Sequence, residues 1–260
     1  MAKVISIVNQ KGGVGKTTTA CNMGAYLARL GKFVLVVDLD PQGNASSGLG
    51  VRAAEGETLS GLYEVLSGTA EVMTTIRPTA TKNLHVLPST PNLAALPVEI
   101  INIENREFIL NDLLNPLRSN YDYIVIDCPP SLNLLTVNAL VASDEVIVPV
   151  QCEYYALEGI GQLLETIQLV QQNLKPDLKL RGAVLTMYDR RTKLSNEVVK
   201  EINRNFPGKV FDAVVPRNVR LSEAPSYGQT ILEFDPWSKG ARAYKQLAQE
   251  IIDQDKNVIT

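Results

Sequence analysis

A chain of 260 residues, 45% of them hydrophobic, can bury a sizeable core, either as one large α/β domain or as two small ones. Its formal charge of −3 and pI near 5.4 exclude a generic polyanion binder, although the charge is uneven: residues 181–220 hold nine Lys/Arg against four acids, a net +5 that leaves −8 for the rest. No apolar run approaches the ~20 residues of a membrane helix, and we expect no signal peptide, because the chain enters a strand at once.

Val4–Val8 reads as the first strand, and the pattern from Lys16 to Leu30, stopped at Gly31, as the first helix. Between them lies Lys11-Gly12-Gly13-Val14-Gly15-Lys16-Thr17-Thr18. Strand, glycine-rich turn and helix form the context of a phosphate-binding loop. Gly12, Gly13 and Gly15, with Val14 between, let backbone N–H groups approach phosphate oxygens, and the helix N-terminus adds partial positive charge. Lys16 stands where a lysine reaches the β- and γ-phosphates, and Thr17 where a hydroxyl ligates Mg²⁺. Lys11 is a second, extra cation.

Phe33–Val37 predicts a strand buried on both faces, ending in Asp38-Leu39-Asp40-Pro41-Gln42-Gly43-Asn44. Aspartates just past such a strand belong at the ligand crevice of an open α/β sheet. Residues 45–120 are less informative. Thr58–Leu66 predicts a short helix, Leu84–Leu87 a strand and Glu104–Leu117 a helix ending near Pro116. Tyr121–Asp127 is an apolar strand closed by a carboxylate suited to a magnesium shell. Cys128-Pro129-Pro130-Ser131 then makes a stiff turn suited to reporting a γ-phosphate. Strands are expected at Glu145–Val150, Leu180–Met187 and Val210–Val215, and helices at Leu157–Asn173, Lys193–Asn205 and Gly240–Asp253. Gly182 and Ala183 would allow close packing. The alternation predicts an α/β three-layer sandwich, a mostly parallel twisted sheet with helices on both faces, which we take as a single domain over residues 1–260.

Cys21, Cys128 and Cys152 have no CxxC spacing and read as core residues of a reducing cytosol. His85 is the only histidine, which argues against a Ser-His-Asp triad or a histidine zinc site, and it reads as structural.

Four motifs together resemble one family. Lys11–Thr18 is similar to the deviant Walker A motif of the ParA/MinD group of P-loop ATPases. Asp38–Asn44 resembles its switch I, and Tyr123–Pro130 its switch II and Walker B. Val215–Ser226 (VPRNVRLSEAPS) resembles a C-terminal signature of ParA/Soj partition proteins. The resemblance covers nearly the whole chain, in the family's order. It implies that Thr18 binds the α-phosphate and that Lys11 reaches across a nucleotide-sandwich homodimer to the partner's phosphates. It implies that Asp40 positions the attacking water, that Asp38 and Asp127 surround the magnesium, and that Met187, Pro216 and Asn218 lie near the adenine. The implied activity is slow Mg·ATP hydrolysis to ADP and phosphate, conditional on dimerisation and stimulated by a partner. The implied role is chromosome or plasmid partitioning with a ParB-like centromere-binding protein, in the cytoplasm and on the nucleoid.

Backbone-directed binding of non-specific double-stranded DNA needs clustered cations rather than base readout. Arg190, Arg191, Lys193, Arg217 and Arg220 flank the proposed nucleotide loops, and dimerisation would double the patch. The alternative is a MinD-like membrane-associated ATPase positioning the division machinery. Such proteins end in a basic amphipathic helix, whereas Leu247–Thr260 carries three acids and one lysine, so no membrane contact is expected. An iron–sulfur reductase of the nitrogenase iron-protein kind would need cluster-bridging cysteines, and the cysteine pattern does not match.

Overall fold

The computed structural model describes residues 1–53, 58–153 and 158–259. Its strands are β1 (Lys3–Ile7), β2 (Val34–Asp38), β3 (Arg77–Pro78), β4 (Leu84–Leu87), β5 (Tyr123–Asp127), β6 (Glu145–Gln151), β7 (Lys179–Tyr188) and β8 (Val210–Pro216). They join into one sheet in the order β3-β4-β2-β5-β1-β6-β7-β8, parallel throughout except for the two-residue β3.

The helices are α1 (Lys16–Arg29), α2 (Asn44–Gly48), α3 (Leu62–Leu66), α4 (Val72–Thr75), α5 (Leu96–Glu99), α6 (Ile109–Leu114), α7 (Leu134–Ala142), α8 (Glu158–Asn173), α9 (Lys193–Asn205), α10 (Val219–Glu223), α11 (Ile231–Phe234) and α12 (Lys239–Ile259). α1, α2 and α10–α12 cover one face of the sheet; α3 and α5–α9 cover the other. The continuous apolar runs explain this, because period-2 alternation inside them feeds both faces. In β2, Leu35 and Val37 face one core while Val34 and Val36 face the other; in β5, Ile124 and Ile126 face the first and Val125 the second.

Strand register positions the site. Asp38 lies opposite Asp127 at the C-terminal ends of β2 and β5, and Ile7 of β1 lies opposite Asp127 on the other side. The chain therefore leaves β1, β2 and β5 at one edge of the sheet, where α/β ligand crevices form. The opposite edge is tied to α12. Asp255 accepts from Lys3 (2.5 Å), Arg181 (2.9 Å) and the Tyr123 hydroxyl (2.6 Å), while Arg181 also pairs with Glu145 and donates to the Ile251 carbonyl (2.7 Å). Arg181 is buried and so adds nothing to a basic surface.

Several elements depart from expectation. The helix expected over Glu104–Leu117 starts only at Ile109; a turn closed by the Phe108 amide on the Asn105 carbonyl precedes it, with Asn105 at φ 59°, and Pro116 passes into a 3₁₀ turn, Asn115–Ser119. The helix expected from Thr58 starts at Leu62, after Gly61. Leu157, where α8 was expected to start, lies outside the described residues. α7 escapes periodicity because it is apolar all round and buried over most of its length; its one local signal is Asn133, whose side chain accepts the Leu135 and Thr136 amides as an N-cap. Gly182 behaves as expected: a Cβ there would stand 2.6 Å from the Lys209 carbonyl oxygen.

Candidate functional site

The phosphate-binding loop is drawn tight by its own residues. Asn9 donates to the Pro149 carbonyl (2.8 Å) and accepts the Lys11 amide (3.0 Å). Thr186, on β7, donates to the Val14 carbonyl (2.8 Å), which turns that carbonyl away from any anion. Gly13 and Gly15 adopt φ of 74° and 91°, a region that favours glycine. Gly15 caps α1 with no side-chain hydrogen bond and no acid in the first turn, so the amides of this 14-residue helix remain open to an anion. The Lys16 ammonium donates to the Lys11 carbonyl (3.1 Å) and is 7% exposed. Burial lowers its pKa, and the Asp127 carboxylate partly opposes that.

A cleft of about 810 Å³ opens above this loop. Gly12, Gly13, Gly15, Lys16, Thr17, Thr18 and Asp40 line one part of it; Met187, Pro216, Arg217 and Asn218 line another. Met187 is held at φ 52°, an uncommon conformation for a non-glycine residue and one that concentrates at functional sites. Asn218 accepts the Arg220 amide (2.9 Å) and so caps α10 at the cleft wall. Pro130, in the stiff turn after β5, also lines the cleft.

Lys11, Val14, Asp38 and Asp127 do not line it. Val14 is 1% exposed, and both aspartates are fully buried beneath the loop. The Lys11 ammonium has no hydrogen bond or ion pair among the described residues, although its amide and carbonyl are both engaged. Among the DNA candidates, Arg191 pairs with Asp189 (2.7 Å), Arg217 with Glu153 (3.3 Å), and Arg220 with Glu223 (2.9 Å) and Asp235 (3.6 Å). Arg190 and Lys193 are exposed, with no acid within 4 Å among the described residues.

The two buried aspartates differ. Asp38 is satisfied: Oδ1 accepts the Asp40 amide and Oδ2 accepts both the Ser46 amide and its hydroxyl. Among the described residues neither Asp127 oxygen has a hydrogen bond, while the nearby Thr17 hydroxyl favours the charged carboxylate. Burial pushes Asp38 up to about 6 against the pull of Ser46, and burial followed by the Asp38 charge pushes Asp127 well above the carboxylate range. An orphaned, fully buried carboxylate beneath a threonine hydroxyl fits a divalent cation shell. No three His, Cys, Asp or Glu side chains among the described residues are grouped to hold a metal ion.

These raised values have a stability consequence. The folded state holds a proton on Asp38 more readily than the unfolded state does. This contribution is therefore fully present below about pH 4 and is lost as pH rises through 6. Urea titration of nucleotide-free protein is expected to show Asp38→Asn gaining up to about 3 kcal/mol relative to wild type between pH 4 and pH 7. A pH-independent difference would show that Asp38 is ionised throughout.

Sequence reasoning missed Asn22 and the 222–230 wall. Asn22 donates to the Thr18 carbonyl (2.8 Å) and accepts the Ile231 amide (2.7 Å), tying α1 to α11 beside the cleft. Ser222, Pro225, Gln229 and Thr230 line the cleft from a segment with a recognisable motif but no chemistry of its own. His85 shares a hydrogen bond with the Tyr121 hydroxyl (2.9 Å), away from the cleft.

Residues 2–180 match the family model described as an AAA domain, and residues 135–260 that of the 4Fe-4S iron sulfur cluster binding proteins, NifH/frxC family. The second stretch contains one cysteine, Cys152, which is 2% exposed. The chain is 54% identical to the sporulation initiation inhibitor protein Soj of Bacillus subtilis (strain 168), across 96% of this chain and 98% of that protein. It is 51% identical to the chromosome partitioning protein ParA of Myxococcus xanthus (strain DK1622), across 98% and 89%. A solved structure of cobyrinic acid a,c-diamide synthase from Mycobacterium smegmatis, with bound ADP and magnesium, matches with a TM-score of 0.86 at 38% identity, covering 98% and 96%.

Proposed function

Because the chain belongs to the ParA/Soj family of chromosome-partitioning ATPases, we propose that it is a nucleotide-dependent dimerisation switch that hydrolyses Mg·ATP slowly and binds non-specific DNA in its ATP state. In this reading the chain acts as a single domain. The triphosphate lies on the loop amides of Gly12–Thr18, with Lys16 on the β- and γ-phosphates and Thr18 on the α-phosphate. The base lies against Met187, Pro216 and Asn218. Thr17 and Asp127 hold the magnesium side, with Asp38 behind them; Mg²⁺ supplies charge neutralisation of the phosphates. Asp40, in the cleft wall, orients the attacking water.

The single observation that carries the switch is Lys11. Its backbone is anchored at both ends inside the loop, yet its side chain neither lines its own cleft nor meets an acceptor among the described residues. A cation so placed is suited to a second copy's phosphates. Hydrolysis then waits on assembly, as it does for an arginine finger supplied in trans, and turnover is slow until a ParB-like partner accelerates it. Partition on the nucleoid follows from DNA binding that lasts as long as the γ-phosphate.

For DNA, the pairings above redistribute the roles. Arg191, Arg217 and Arg220 each carry a local counter-charge, which leaves Arg190 and Lys193, at the turn from β7 into α9, as the main phosphate contacts. The membrane alternative draws no support from α12: Asp255 is engaged by Lys3, Arg181 and Tyr123, which clamps this end of the helix to the sheet.

The test combines size exclusion with DNA shift, in ATP, ADP and no nucleotide, at two salt concentrations. The expected result is a dimer and a DNA complex with ATP alone. Arg190→Ala with Lys193→Ala should leave the dimer intact, weaken binding alike on all sequences, and lower the salt slope by about two per protomer. Full DNA affinity in that variant would move the patch elsewhere, and a monomer in ATP would overturn the switch.

A further inference from the structure

Asp40 reaches the cleft from an irregular loop between β2 and α2, and a chain of hydrogen bonds leading away from the cleft holds that loop. Asp38 Oδ1 accepts the Asp40 amide (3.2 Å). Asp38 Oδ2 accepts the Ser46 amide and the Ser46 hydroxyl, each at 2.7 Å. The Ser46 Oγ in turn accepts the Ser89 amide (3.0 Å) from the strap that follows β4. Ser46 is 2% exposed and Ser89 4%, and neither lines the cleft.

The strap is a firm anchor. The Pro88 carbonyl accepts the Leu62 amide (2.7 Å), and Gly61 passes so close that a Cβ there would stand 2.6 Å from that oxygen. Gly43, at the far end of the Asp40 loop, turns with φ 64° and faces the Ser89 carbonyl, 3.7 Å from where its Cβ would be. The loop is thus stretched between β2 and the strap, and Ser46 is the side chain that joins the two.

The direction of each bond is determined. A carboxylate only accepts and an amide only donates, so the one Ser46 hydroxyl proton goes to Asp38 and a lone pair takes the Ser89 N–H. Alanine at position 46 would strip a partner from both at a site closed to water. A buried group that loses its partner seeks another arrangement, and the loop is the mobile element.

We infer that Ser46 is a positioning residue for hydrolysis, setting through Asp38 where the Asp40 carboxylate stands in the cleft. This rests on the reading of Asp40 as the group that orients water. Ser46 is buried and does not line the cleft, so its loss should act on turnover and leave ATP affinity in place.

The test compares wild type, Ser46→Ala, Ser46→Thr, Ser46→Cys and Ser89→Ala. Single-turnover hydrolysis is expected to fall about tenfold in Ser46→Ala, with ATP affinity by calorimetry within about threefold, which corresponds to losing one hydrogen bond to a charged group. Ser46→Thr keeps the hydroxyl and should recover most of the rate. Ser46→Cys keeps the volume with a weaker donor and should lie between, even if alanine disturbs folding. Ser89→Ala should be silent, because Ser89 acts through its amide and its own hydroxyl has no hydrogen-bond partner among the described residues. In nucleotide-free protein, hydrogen exchange over residues 39–48 should quicken in Ser46→Ala and not in Ser46→Thr. Unchanged turnover and exchange in Ser46→Ala would overturn the inference, as would parallel loss of turnover and ATP affinity. Asp40→Ala separates the two readings. Wild-type hydrolysis there sinks the role of Asp40. If that role stands, Ser46→Ala should add nothing in the Asp40→Ala background, and a further tenfold loss there would overturn the positioning route.

Discussion

Lys16→Ala is expected to lower ATP affinity by about a hundredfold or more, measured by calorimetry with Mg²⁺ present. Charge-assisted hydrogen bonds to phosphate are each worth about 1.5–3 kcal/mol, and 2.7 kcal/mol is a hundredfold. Lys16 is 7% exposed, so its charge acts in a poorly solvated site where little water can substitute for it. Its ammonium also donates to the Lys11 carbonyl (3.1 Å), so alanine would remove a tie inside the loop as well as a cation. Lys16→Arg is not a neutral control, because the longer planar guanidinium does not fit a point-charge position. The folded state should survive, since burial already disfavours the ammonium. A cooperative melt close to wild type therefore separates loss of binding from loss of fold. Unchanged ATP affinity would remove the phosphate assignment altogether.

Asp40→Ala is expected to cut hydrolysis by about a hundredfold or more while ATP affinity stays within about threefold, so that the protein accumulates as a DNA-bound dimer. Positioned acid–base groups contribute about 10²–10⁴-fold, and a group that acts only in the transition state lowers turnover without weakening ground-state binding. Asp40 is 8% exposed, lines the cleft, and accepts the Gln42 amide through Oδ1 (3.0 Å). Alanine therefore also opens a local turn. Asp40→Asn keeps an oxygen for that amide but cannot take a proton, so equal losses in the two variants would place the effect on the carboxylate charge. Hydrolysis at the wild-type rate in either variant would end the assignment.

Much of the architecture was legible in the residues. The runs at β2, β5 and β6 are apolar between their ends, and that at β1 is broken only by Ser6, as suits a sheet covered on both faces, and Lys11–Thr18 carries its own punctuation in glycines and lysines. The elements that were not legible are short or uniform: α7 has no polar face to mark a period, and α4, α5, α10 and α11 are single turns stabilised by what they touch. Among the site residues, the loop positions, Asp40, Met187, Pro216 and Asn218 come together around one cleft, while Asp38, Asp127, Val14 and Lys11 stand outside its lining. The basic segment was the least legible. Charge counted along a sequence takes no account of partners: Arg181 and Arg217 pair with the distant acids Asp255 and Glu153, while Arg191 and Arg220 pair with their near neighbours Asp189 and Glu223.

By itself, the sequence determined the fold class, the phosphate loop and the order of the motifs, because each is written in contiguous residues whose local conformation and periodicity follow from their own chemistry. Only the tertiary structure decided which carboxylate is saturated and which is bare, which distant acids pair with Arg181 and Arg217, and that Ser46 joins the Asp40 loop to the strap at Ser89. Those outcomes depend on partners 8 to 74 residues away along the chain. Burial and hydrogen bonding at such separations are properties of packing, which no local pattern of residues encodes.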